Sequence, residues 1–222
     1  MYYNTQRIDP TNIGMADGVG GVALVLGIAS AAIGAYHFKK DKYEMAYVEA
    51  QSDSQKYLVR NMKDKELAAE RLAKIRAKLL RLMKYLEQTY KDRPFVKQII
   101  KNFDANPERF TESTPDASFT SYSVNKGEKI FMCLRQRDES ENLVDENILV
   151  FVALHEMSHI GTASIGHTKE FWNHFAWLLE RAETAGVYEY QDFAAHPVEY
   201  CGVFITDSPK YKQNMPDGTH PD

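Results

Sequence analysis

The sequence predicts an α+β fold. Residues 55–92 run without glycine or proline, and their apolar positions step by three and four, the periodicity of one long helix. Residues 118–135 break around Asn125-Lys126-Gly127, the composition of a turn joining two strands. The apolar run Ile148–Leu154 then leads into His155-Glu156-Met157-Ser158-His159, too long and too regular for a strand. With 222 residues and 44% hydrophobic content, the chain has enough for one globular domain with appendages.

A short segment, 1–17, comes first. Gly18 to Tyr36 then carries no charge over nineteen residues, close to the ~20 that span a bilayer as helix. Residues 18–38 are therefore expected to be a transmembrane anchor. Ala23, Gly27, Ala31 and Ala35 form a small-residue stripe suited to close helix contact, hence to a homo-oligomer in the membrane. Lys39-Lys40-Asp41-Lys42 follows the span, which by the positive-inside rule puts the C-terminal bulk on the cytosolic side.

Within residues 55–92 the seam runs Leu58, Met62, Lys65, Ala69, Leu72, Ile75, Leu79, Leu82 and Leu86. Arg71, Lys74, Arg76, Lys78, Arg81 and Lys84 cover the other faces. Residues 55–101 hold fourteen basic and five acidic side chains, while residues 102–222 hold nine basic and twenty acidic. The chain thus reads as a basic arm on an acidic domain, and the basic helix is a candidate contact for anionic lipid or DNA.

After Pro94 a short helix is expected over Phe95–Phe103, then a polar loop. Ser118–Val124 and Glu128–Arg135 follow as a hairpin. The Ile130–Leu134 strand is the candidate sheet edge to which an extended peptide could add. Arg137–Asn142 is a loop. Pro197–Ile205 ends in a strand, and residues 208–222 read as a loose tail. Cys133 and Cys201 do not make a disulfide framework. They are expected to be buried thiols, with a reducing compartment as the default.

Asp145 is placed to cap the helix that begins just after it, and Gly161 to end it. Two histidines four apart stand one above the other on a helix, so both can reach one Zn²⁺ ion. Glu156 is offset by about 100° and can take a proton from a water activated by the metal. A third ligand is needed. His167 lies just ahead of Thr168, the expected cap of a helix carrying Phe171, Trp172, Phe175, Leu178 and Leu179. The pattern is that of a zinc metallopeptidase, with His155 and His159 on the metal, His167 the nearest candidate for the third ligand and Glu156 as the candidate base. The domain expected is zincin-like, a small antiparallel sheet plus the metal-site helix, over residues 70–207. Residues 39–69 form a juxtamembrane basic helix or linker ahead of it. Tyr200 and His196 are candidates to stabilise the oxyanion, and His174 is expected to be packed. The competing reading is a non-catalytic anchored scaffold with structural zinc, which needs a fourth protein ligand such as His196 or Cys201.

Ser123-Val124-Asn125-Lys126-Gly127-Glu128-Lys129-Ile130, Cys133-Leu134-Arg135, the His-Glu-x-x-His helix and Gly166-His167-Thr168-Lys169-Glu170-Phe171-Trp172 resemble the WLM family of zinc metallopeptidases, relatives of the SprT/Spartan proteases. The likeness covers about residues 70–185 and looks closer to the forms encoded by large DNA viruses. It implies the same three zinc ligands and Glu156 as general base. It also implies a protein substrate, since known members degrade proteins crosslinked to DNA. Two features set this chain apart: a longer gap from His159 to His167 than is usual, and the expected anchor. The substrates expected are DNA-bound proteins or membrane and virion proteins, met on the cytosolic side of a host or virion membrane.

Overall fold

A computed structural model of the chain describes residues 44–211. It begins with a hairpin, β1 (Met45–Glu49) antiparallel to β2 (Lys56–Arg60). This corrects the single helix expected over 55–92: residues 56–60 are strand, and the helix begins at Lys65. Leu58 and Met62 fit a helical step, but Tyr57 and Val59, two apart, are the fully buried pair. That is the alternation of a strand.

Helix α1 (Lys65–Tyr90) then takes over and buries Leu72, Ile75, Leu79, Leu82 and Leu86. It lies across β1, β2 and the next strand, β3 (Phe110–Glu112). Much of its basic character is spent within the molecule. Arg71 and Lys78 meet Glu146 at 3.5 and 2.8 Å. Arg76 reaches Asp53 at 3.2 Å and the Ala105 carbonyl at 2.6 Å, and Arg81 donates to the Gly186 carbonyl. Lys74 and Lys84 remain exposed on its outer face.

Helix α2 (Pro94–Asn102) starts on a proline at its first turn, where no intrahelical N–H is needed. Strands β4 (Tyr122–Val124) and β5 (Lys129–Met132) form the expected hairpin, each shorter than the sequence suggests. Its turn needs Gly127, at φ +106°, where a Cβ would lie 2.9 Å from the Asn102 carbonyl oxygen.

The sheet order is β1-β2-β3-β5-β4, with β2–β3 and β3–β5 parallel. The sheet is therefore mixed, not antiparallel. Strand β5 is interior, and the free edge on this side is β4, which corrects the edge assigned to Ile130–Leu134. The cause is β3, three residues long and flanked by polar loops, which slips in beside β5. Its Glu112 is 1% exposed and accepts from the Arg60 N–H at 2.7 Å and from Arg135 Nε at 2.9 Å. Arg135 also holds Asp64 at 2.5 Å. Burial pushes the Glu112 carboxyl up, and the two arginines pull it back. The network joins β2, β3 and the segment after β5.

Helix α3 (Glu146–Gly161) is buried on nearly every side. It packs between α1, α2 and α4 (Lys169–Thr184), with β4 and β5 beside it. Asp145 caps it by accepting from the Asn147 N–H. Gly161 does end it, but for a reason other than a left-handed turn. A Cβ there would lie 2.4 Å from a Phe95 ring carbon and 2.5 Å from Ile99, so the glycine lets α2 close on α3.

The chain finishes in a second hairpin, β6 (Val198–Tyr200) and β7 (Val203–Ile205), turning through Cys201 and Gly202 at positive φ. Cys133 and Cys201 are joined as a disulfide, Cα–Cα 6.4 Å, which corrects the expected thiols. Both are buried, as expected. The tail is not loose at its start: Ser208 and Pro209 are buried, and Lys210 pairs with Glu183. Among the described residues no helix is long and apolar enough to cross a membrane. The expected span 18–38, the segment 1–17 and residues 212–222 lie outside them.

Candidate metal centre

The apolar sides of α3 fix its rotation in the core and leave His155 and His159 half-buried at one margin. The chain then turns back. Thr168 caps α4 through the Phe171 N–H, and His167 stands just ahead of that cap. The return loop is held from the β4–β5 turn, where Lys126 Nζ donates to the Thr162 and Ala163 carbonyls at 2.7 and 3.1 Å. Thr162 Oγ1 lies 2.9 Å from His174 Nδ1, and the His174 ring stacks on Phe95 at 4.1 Å. Burial lowers the His174 pKa. His174 is thus packed between α4, α2 and the loop.

These restraints bring three Nε2 atoms face to face. His155–His159 is 3.1 Å, His159–His167 is 3.2 Å and His155–His167 is 3.0 Å. Ligands 2.0–2.1 Å from one tetrahedral ion would sit about 3.3 Å apart, close to this spacing. Three ring nitrogens converging on one point also present like lone pairs or like protons to each other, which a shared cation relieves. Among the described residues this is the group of His, Cys, Asp or Glu donors able to hold a metal. The donor set fits zinc with a coordination position left open.

The rings are held by aromatic neighbours on α4. Phe171 stacks on His159 at 4.1 Å and meets His155 and His167 edge-on, both at 4.9 Å. Trp172 stacks on His167 at 5.4 Å, and Phe175 meets His155 edge-on at 5.3 Å. The sequence reads these residues as core. The structure makes them the backing of the triad as well.

Glu156 is 6% exposed. Burial pushes its carboxyl up to about 7, and Ser123 on the edge strand β4 counters this with its hydroxyl and backbone N–H. Burial pushes the Tyr200 pKa up, its contact with Ser121 pulls it down, and the Glu156 charge adds a smaller upward push. The Tyr200 hydroxyl lies 2.5 Å from Ser121 Oγ, which accepts the Cys133 N–H at 2.9 Å. Sequence reasoning missed both serines. Their signal was weak but present: two apart in an extended stretch, they fall on one side of it. Of the two oxyanion candidates, Tyr200 is in the neighbourhood of Glu156, while His196 is exposed and not gathered with the triad. Cys201, the other suggested fourth ligand, is bonded to Cys133.

The WLM domain matches residues 51–202. The match begins before β2, within the stretch expected to be a linker. An uncharacterized protein of Acanthamoeba polyphaga mimivirus is 32% identical over 188 residues, 84% of this chain and 95% of that protein. An uncharacterized protein of Invertebrate iridescent virus 6 is 37% identical over 70 residues, 31% of this chain and 39% of that one. Among solved structures, Wss1 from Saccharomyces cerevisiae aligns with a TM-score of 0.31 and 26% identity, covering 35% of this chain and 59% of that chain.

Proposed function

Because the chain belongs to the WLM domain family, we propose that it is a zinc-dependent endopeptidase. The observation that carries the reading is the convergence of His155, His159 and His167 Nε2 within 3.2 Å, with Glu156 next to them in sequence and buried. His155, His159 and His167 would hold the ion. When bound, zinc supplies a Lewis acid that polarises the scissile carbonyl and makes a water acidic near pH 7.

The chain's own residues do the rest. Glu156 takes the proton of the attacking water and returns it to the leaving amine. In the metal-free protein, burial raises the pKa of this carboxyl, the direction of a stronger base. Ser123 holds that carboxylate against β4. Tyr200, whose hydroxyl lies 2.5 Å from Ser121 Oγ, is the remaining candidate donor to the developing oxyanion. The Phe171, Trp172 and Phe175 rings keep the imidazoles in place. The scaffold alternative is not favoured, because neither suggested fourth ligand joins the triad.

His167→Ala should weaken zinc binding by about a hundredfold or more in a competition titration, since it removes one of three ligands. Unchanged affinity would place the third ligand elsewhere and overturn this assignment.

The setting of the activity is part of the proposal. The uncharged run Gly18–Tyr36 supports a membrane anchor with the domain on the cytosolic side of a host or virion membrane. Its small-residue stripe supports self-association there. Exposed Lys74 and Lys84, with the lysines at 91, 97 and 101, support a DNA contact and DNA-bound protein substrates. One comparison tests both: flotation of the full chain with neutral and anionic vesicles, beside its binding to single-stranded DNA over a salt series. Flotation on neutral vesicles supports the anchor, and DNA affinity falling steeply with salt supports the DNA contact. A chain that neither floats nor binds DNA overturns both.

A further inference from the structure

A second cavity wall meets the triad from the side of the C-terminal hairpin. A cavity of about 150 Å³ opens against the His155 ring. Phe151, Trp172 and Phe175 line it, together with Phe204, Ile205 and Thr206 from β7 and the residue after it. The geometry points to this cavity as the subsite that takes a large apolar side chain of the substrate, beside the bond to be cut. The inference rests on the endopeptidase reading and deepens it by naming the substrate class.

Three observations support it. The first is position: a cavity that includes a metal-ligand ring is within one residue's reach of the reacting carbonyl. The second is size and lining. A cavity of about 150 Å³ lined mostly by apolar residues, with Thr206 among them, has room for a benzene-sized group, which is the bulk of a Phe, Leu or Met side chain. Asp207 also lines the cavity.

The third is that the wall is built. The hairpin is bonded to the end of β5 through Cys133–Cys201. Gln136 Nε2 donates to the Glu199 carbonyl, and Gln136 Oε1 accepts the Cys201 N–H, both at 2.8 Å. Beyond the cavity, Lys210 pairs with Glu183 of α4. Yet Phe204 is 67% exposed. A ring left open at the mouth of a fixed apolar cavity is covered when a substrate side chain enters.

The test is cleavage of a peptide library by the zinc-loaded full chain, with the cut sites mapped by mass spectrometry. One position flanking the cut should favour Phe, Leu or Met over Gly, Asp and Glu by roughly tenfold or more, the scale set by hydrophobic pockets. Phe204→Ala should then lower kcat/KM for the Phe-bearing peptide by roughly tenfold and change little for the same peptide with Ala there. A merely structural role for Phe204 would lower both alike. Cutting without an apolar preference, with a basic preference, or with an equal loss for both peptides overturns this inference and leaves the peptidase reading standing. No cutting of any peptide overturns both.

Discussion

Replacing Glu156 with glutamine is expected to lower peptide-bond hydrolysis by about 10³-fold while zinc stays bound. Glutamine keeps the size of the side chain and its contact with Ser123, but it cannot accept the proton of the attacking water. The three histidines are untouched, so metal content by competition titration should match the parent. Turnover above a tenth of the parent would remove Glu156 from the base role. Loss of zinc together with activity would show that it shapes the site instead.

The same substitution has an opposite effect on stability. In the metal-free protein the Glu156 carboxyl is pushed from 4.5 to about 7 by burial. A carboxyl whose folded value lies above its unfolded one costs nothing below about 4.5. The cost grows as pH rises and is complete above about 7. The difference amounts to about 3 kcal/mol at pH 8. Glu156→Gln should therefore raise the denaturation midpoint of the metal-free protein at pH 8 and leave it nearly unchanged near pH 4.5. A midpoint that does not respond to pH in this sense would mean the carboxyl is not buried as described. A stability gain bought with activity is the signature of a functional charge.

The second large effect is expected at Cys201. Cys201→Ser removes a crosslink between residues 68 apart, and the chain-entropy account puts the loss at about 4 kcal/mol. Denaturant titration should show a lower midpoint for the variant. The parent in strong reductant should fall to the same value, while reductant should leave the variant unmoved. A parent indifferent to reductant would show that the two sulfurs are not joined in solution. Because the Gln136 hydrogen bonds remain, the hairpin should stay near its place in the folded variant.

The metal-site elements were the most legible part of the chain, because their signals are local. The i, i+4 histidines, the Asp145 and Thr168 caps and the all-apolar run before His155 each depend on a few adjacent residues. What escaped was set by distant partners. Lys56–Arg60 is five residues long with charges at both ends, and its identity as a strand comes from pairing with β1 and with Thr111 of β3. Strand β3, three residues long, carries no local signal, so nothing adjacent in sequence marks the strand beside it as interior. Glu112 and Arg135 were passed over because charged side chains are usually solvated. Their burial depends on each other. Two cysteines carry no spacing rule, and only the tertiary fold could pair them.

The bond between Cys133 and Cys201 also makes a ring of the chain between them, and α3, α4 and all three histidines are on that ring. On that ring lies the loop between His159 and His167, where Ile165 is 90% exposed. A foreign protease cutting there would open the ring without dividing the molecule. The two halves of the metal site would stay tethered at high effective concentration, and the nicked protein would run as a single species until its disulfide was reduced.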